Sequence, residues 1–134
     1  MYSYSSLEKK AKTLASIINA PERLLPQFGQ SNQAACPFVL ISFPYFYLVV
    51  SENGTIIEKK KFLTEDMLLY SIFERITFNM AMEYEVVHRA PNQDFRRILF
   101  SYQLVLMQRL SDAWKKRLQE KIDDILCTNP FSDD

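Results

Sequence analysis

Behind the paired serines Ser5 and Ser6, the apolar positions Leu7, Ala11, Leu14, Ile17 and Ile18 recur at helical spacing, and Pro21 closes the helix they predict. The segment from Gln27 to Ala35 has no such period and reads as a loop around Gly29. The pattern then changes to two apolar, β-prone runs, Pro37 to Phe43 and Tyr45 to Val50, divided by Pro44. Asn53-Gly54 marks a two-residue hairpin turn, because both positions tolerate positive φ, and Ile56 to Phe62 returns as the partner strand. From Thr64 the helical period resumes. Thr64 is suited to cap a helix running to about His88, with Glu65 and Asp66 in its first turn, where the helix dipole favours acids. Pro91 interrupts the pattern. A third helix capped by Asp94 or Asn92 then reaches Leu110, and a fourth from Ser111-Asp112 carries Trp114, Leu118, Ile122, Ile125 and Leu126 on one face until Asn129-Pro130.

Strands grouped before helices, without βαβ alternation, predict an α+β fold. The expected order is an N-terminal helix, a three-stranded antiparallel β-meander, then three α-helices packed as a C-terminal bundle against the sheet. The expectation for organisation is one domain over 1–134. Within it, 1–35 are helix and loop, 36–63 the meander, 64–128 the three helices and 129–134 an acidic tail.

Composition supports a globular chain with its own core: of 134 residues, 48% are hydrophobic, 24% charged and 13% aromatic. A chain of this length buries roughly two thirds of its unfolded surface and folds without a metal or disulfide. Sixteen basic residues balance sixteen acidic ones, which argues against a nucleic-acid or anionic-membrane partner held by bulk charge. The balance is uneven along the chain. Residues 1–63 carry seven basic and four acidic side chains, +3, and residues 64–134 carry nine and twelve, −3. Cys36 and Cys127 stand far apart with no CxxC spacing and are expected as packed thiols of a reducing compartment. No apolar run in the first ten residues resembles a signal peptide, and the stretch Cys36 to Val50 is too short and proline-broken for a membrane span. The expected location is the cytoplasm.

Little in the sequence offers reactive chemistry. Two glycines, Gly29 and Gly54, exclude a Gly-rich phosphate loop, and a single histidine, His88, excludes paired-histidine zinc motifs. Glu85-x-x-His88 has the i, i+3 spacing of a di-iron helix but lacks the second such motif a di-iron site requires. The expectation is therefore no catalytic, metal or cofactor site. The run Lys59-Lys60-Lys61 beside an aromatic strand reads as a solvated edge that discourages strand pairing rather than as a nucleic-acid platform.

Helical projection isolates one further feature. Leu69, Ile72, Ile76, Met80, Glu83 and Val87 share a stripe, and Arg96 and Gln103 fall within the apolar arc of the next helix. A charge on an apolar face must be paired or reach water, so Glu83 and Arg96 are expected to meet as a structural ion pair. The polar faces carry the candidate partner-binding acids Glu74, Glu85, Asp112, Glu120, Asp123 and Asp124. Tyr45 and Tyr47, on one side of an aromatic strand, are candidate contact residues because tyrosine is favoured at interfaces.

One group of residues resembles a known family. Glu83-Tyr84-Glu85, Arg89, the run Pro91 to Arg97 (PNQDFRR), Phe100 and Gln103 are similar to the immunity protein 63 family of bacterial polymorphic-toxin systems. The hairpin Tyr47 to Gly54, Leu68-Leu69-Tyr70, Ile72-Phe73-Glu74 and Pro130-Phe131-Ser132-Asp133 add to the likeness, which covers roughly residues 45 to 134. Asn53 departs from the arginine usual in that family's hairpin. The resemblance implies an antidote that binds the C-terminal domain of a cognate secreted toxin and catalyses nothing. An adaptor or regulator working through the aromatic sheet face is the competing expectation. An enzyme built on Glu83, Arg96 and His88 is a more distant one.

Overall fold

The computed structural model describes residues 3–29 and 37–134, so the expectation for Cys36 lies outside the described residues. The chain divides into two compact units, Met1–Ile72 and Phe73–Asp134, with the boundary inside one continuous helix.

In the first unit, α1 spans Tyr4–Ile17. Ser3 caps it, its hydroxyl accepting the Ser6 N–H at 3.1 Å, and Leu7, Ala11 and Ala15 form its buried stripe. A single 3-10 turn, Glu22–Leu24, follows. The sheet is made of β1 (Gln27–Phe28), β2 (Phe38–Ser42), β3 (Tyr45–Glu52) and β4 (Thr55–Phe62), paired in that order. The antiparallel β2-β3-β4 meander is as expected, but among the described residues the sheet has four strands and is mixed, because β1 pairs parallel with β2. Two residues carry no period, so β1 is invisible to patterning. It exists because the N–H groups of Gln27 and Gly29 donate to the carbonyls of Pro37 and Val39, each at 2.9 Å. Beyond the end of β1, the Tyr4 hydroxyl accepts the Ile41 N–H at 3.0 Å and extends the cover along that side of β2. The β3–β4 turn has Asn53 at φ 52° and Gly54 at φ 79°, as the Asn-Gly signal requires.

Alternation along β3 places Phe46 and Leu48 on one face with Val39, all buried. Tyr45 and Tyr47 lie on the other face and are half-buried. Every residue from Thr55 to Lys61 is exposed. The helix α2, Glu65–Val87, begins with the Thr64 hydroxyl accepting the Met67 N–H, and Leu68, Leu69, Tyr70 and Ile72 are buried in its first turns.

The second unit comprises the remainder of α2, α3 (Phe95–Leu110) and α4 (Asp112–Thr128). Asp94 caps α3 by accepting the Arg96 N–H, and Ser111 caps α4 by accepting the Trp114 N–H. The buried apolar residues include Phe73 and Trp114, stacked with centroids 6.1 Å apart, together with Ile76, Leu99, Leu106, Leu118 and Ile122. Cys127 is an exposed free thiol and not the packed one expected. At 100° per residue it falls well away from the Trp114–Leu118–Ile122 stripe. Among the described residues no helix is long and apolar enough to cross a membrane.

Candidate functional site

The densest polar cluster lies where the last six residues meet the start of α3. The Asp94 carboxylate accepts the Arg96 backbone N–H at 2.9 Å, the Arg96 guanidinium at 2.8 Å and the Ser132 N–H at 2.9 Å. Arg96 also donates to the carbonyls of Asn129 and Pro130, each at 2.9 Å. Asp133 accepts the Asp94 N–H at 2.7 Å and pairs with Arg97 at 2.9 Å. The Phe131 ring lies beneath the Arg97 guanidinium, 4.2 Å from its centroid. The Arg96 hydrogen bonds and those from the Ser132 and Arg96 N–H groups hold the Asp94 carboxyl well below the usual carboxylate range. Arg97 lowers Asp133 in the same way. The acidic tail is thus a strap, its carbonyls and carboxylate used as hydrogen-bond acceptors.

This arrangement corrects the expected Glu83–Arg96 pair. The carboxylate Arg96 engages is Asp94, two residues before it, while Glu83 is exposed on α2. The physical reason is a change of buried stripe. Leu69, Ile72 and Ile76 are buried as projected, but Met80 is half-buried and Val87 exposed, whereas Phe73, Thr77, Ala81 and Glu85 form a buried row at four-residue spacing. An apolar stripe extrapolated along 23 residues fails once different turns of one helix bury different sides.

The buried polar residues of that row are satisfied locally. Glu85 is 3% exposed and receives both Nε and Nη2 of Arg89, at 3.0 and 2.9 Å. That bidentate contact lowers the Glu85 carboxyl. Glu85 was expected on a polar, partner-facing side; its side chain is buried and is paired with the exposed guanidinium of Arg89. Gln103, also 3% exposed, donates from Nε2 to the Glu74 carbonyl at 3.1 Å and to the Thr77 hydroxyl at 3.2 Å. The Thr77 hydroxyl in turn donates to the Phe73 carbonyl at 2.7 Å. Gln103 therefore pins α3 to α2, a fastening role that the sequence suggests only as a polar residue inside an apolar arc.

The remaining candidates are distributed over both units. Glu74 is half-buried and pairs with Lys121. Asp112, Glu120, Asp123 and Asp124 are exposed along α4, with Asp123 accepting from Gln119 at 2.9 Å. Tyr45 and Tyr47 lie under lysines from β4. The Lys61 Nζ sits 4.3 Å from the Tyr45 centroid and the Lys59 Nζ 4.7 Å from the Tyr47 centroid. Both contacts are diagonal to the strand register, which sets Tyr47 opposite Lys61. Divided at the boundary of the two units, the +3 and −3 of the sequence halves become +1 and −1, because Glu65 and Asp66 fall in the first unit. The charge asymmetry is local rather than global.

A surface absent from the sequence reading lies on the second unit. The rings of His88, Tyr84 and Tyr102 form a ladder, with Tyr84 stacked at 3.8 Å on each neighbour. Tyr84 and Tyr102 line a shallow groove together with Gln93, Arg97, Ile98 and Val105. The i, i+4 spacing of Tyr84 and His88 was a usable signal; the approach of Tyr102 from α3 was not. His88 Nδ1 lies 2.9 Å from the Tyr84 carbonyl. Among the described residues, no three His, Cys, Asp or Glu side chains gather where they could hold a metal ion.

Fold and surface together define an α+β protein in which buried charge and the tail acids serve as fasteners, while aromatic and charged surfaces face outward. Within that class, the chain belongs to a family of immunity proteins. The model of immunity protein 63 matches residues 44–124, from the turn before β3 to most of α4. Neither the curated proteins nor the solved structures gave a match.

Proposed function

We infer that this protein neutralises a cognate secreted toxin by binding the toxin's C-terminal domain in the cytoplasm of the producing cell, without catalysis. The match to immunity protein 63 over residues 44–124 carries this reading. The fastened polar network agrees with it. Asp94, Arg96, Arg97, Asp133, Glu85 and Arg89 are each engaged with partners inside the chain, so they serve shape and not acid–base chemistry.

Binding then belongs to the surface. Asp112, Glu120, Asp123 and Asp124 offer exposed carboxylates along α4, interspersed with Lys116, that suit a basic toxin surface such as a nuclease site. Electrostatic attraction of that kind acts chiefly on the association rate. Tyr45 and Tyr47 remain contact candidates on the sheet, now as tyrosine–lysine pairs. Glu85 leaves the set because it is buried, and Glu74 stands at its margin because Lys121 occupies it.

The test is co-expression with the toxin domain encoded by the neighbouring upstream reading frame. Rescue of growth together with a stable purified complex is the expected result. Failure to rescue, with no complex, would refute the reading and favour an adaptor.

A further inference from the structure

We propose that β4 is a docking edge, to which an extended acidic segment of the toxin domain adds as a further strand of the sheet. The proposal rests on the toxin-binding reading and names the partner chemistry and the place of contact.

β4 ends the strand order β1-β2-β3-β4, so alternate backbone N–H and C=O groups along its eight residues point away from β3. Edge strands are ordinarily shielded by lysines that project over the open backbone. Here the lysines take other positions. Lys59 and Lys61 turn back across β3, onto the rings of Tyr47 and Tyr45. Lys60 lies on the opposite face, where its Nζ is 3.5 Å from Glu58. The backbone edge stays open while net positive charge is held on the tyrosine face beside it, and Lys60 is paired with Glu58 on the other.

Ile56 and Ile57, 57% and 59% exposed, add one β-branched side chain to each face. Strand addition draws affinity from main-chain hydrogen bonds and selectivity from side chains that alternate across the edge. With three lysines against one glutamate on β4, the strand that gains most is one carrying carboxylates. A basic strand meets like charge. A second copy of β4 brings three lysines of its own.

Hydrogen exchange on the full chain, free and in complex with the neighbouring toxin domain, tests this. The expected result is at least about tenfold slower exchange of the 55–62 amides in the complex. Lys60→Glu, and separately the double variant Lys59→Met with Lys61→Met, should each weaken binding about tenfold. The methionines keep the apolar stems over the tyrosines, so folding, checked by circular dichroism, is preserved. A complex whose β4 amides exchange as in the free chain overturns the docking edge and leaves the immunity reading standing. Absence of both complex and rescue overturns the two together. Protection of β4 in the isolated chain that rises with its concentration identifies a second copy as the occupant and overturns the acidic-strand assignment.

Discussion

Replacing Gly29 with alanine tests whether β1 is held where the structure has it. Gly29 sits at φ 79°, and a Cβ there would lie 2.9, 3.0 and 3.1 Å from three ring carbons of Tyr4. Left-handed backbone costs an alanine about 1–2 kcal/mol. Crowding against a ring that cannot retreat adds about 1–3 kcal/mol. The ring is not free to move, because the Tyr4 hydroxyl accepts the Ile41 N–H at 3.0 Å, and a shift that relieves the clash gives up that bond. Gly29→Ala should therefore destabilise the chain by about 2–5 kcal/mol, summing the two costs. In a Tyr4→Ala background the clash vanishes, and the same change should cost only the backbone part, about 1–2 kcal/mol. Urea unfolding of the four proteins, followed by far-UV circular dichroism, gives the coupling directly. An equal cost of Gly29→Ala in both backgrounds would refute the contact and leave only a backbone effect.

Three further outcomes follow from the second unit. Gln103→Leu removes two hydrogen bonds at a buried site and should lower stability by about 2 kcal/mol, at about 1 kcal/mol per bond; Thr77→Val should cost less in that background than in the parent, as thermal unfolding would show. The carboxyls of Asp94, Asp133 and Glu85 are all lowered in the folded chain. Their stabilisation is therefore complete above the ordinary carboxylate range, about pH 4, and is lost as pH falls through their depressed values. Protection of the 129–134 strap amides, taken relative to their intrinsic exchange rates at each pH, should accordingly fall on acidification below about pH 4, and Asp94→Asn should flatten that dependence; a strap indifferent to both would contradict the network. Charge reversal of Asp112, Glu120, Asp123 and Asp124 to lysine should slow association with the toxin domain and flatten its salt dependence. Unchanged stopped-flow rates would move the interface elsewhere.

Residue types of the fastening network were legible in the sequence, and their partnerships were not. That Arg96 and Gln103 are polar positions in an apolar arc was visible, and both prove to be fasteners. Their partners were not visible. Asp94 lies only two residues from Arg96 in sequence, but helical projection pairs residues across faces and does not register a cap that doubles as an ion-pair acceptor. The strap from Asn129 to Asp134 reads as an acidic tail until Arg96, Arg97 and Phe131 show what holds it.

The helices were determined by the sequence itself. Asp94 and Ser111 cap them as their types dictate, Pro91 separates the second from the third, and the Asn53-Gly54 turn sets the β3–β4 hairpin, because each of these choices is local. Only tertiary structure decided the rest. β1 exists through hydrogen bonds to carbonyls ten residues further along the chain. Glu85 is buried and Glu83 exposed because packing selects which side of a long helix is covered. Lys59 and Lys61 leave the β4 edge open because tyrosines on the neighbouring strand hold their charges. Each of these depends on residues brought together from separate places in the chain, and local periodicity carries no record of them.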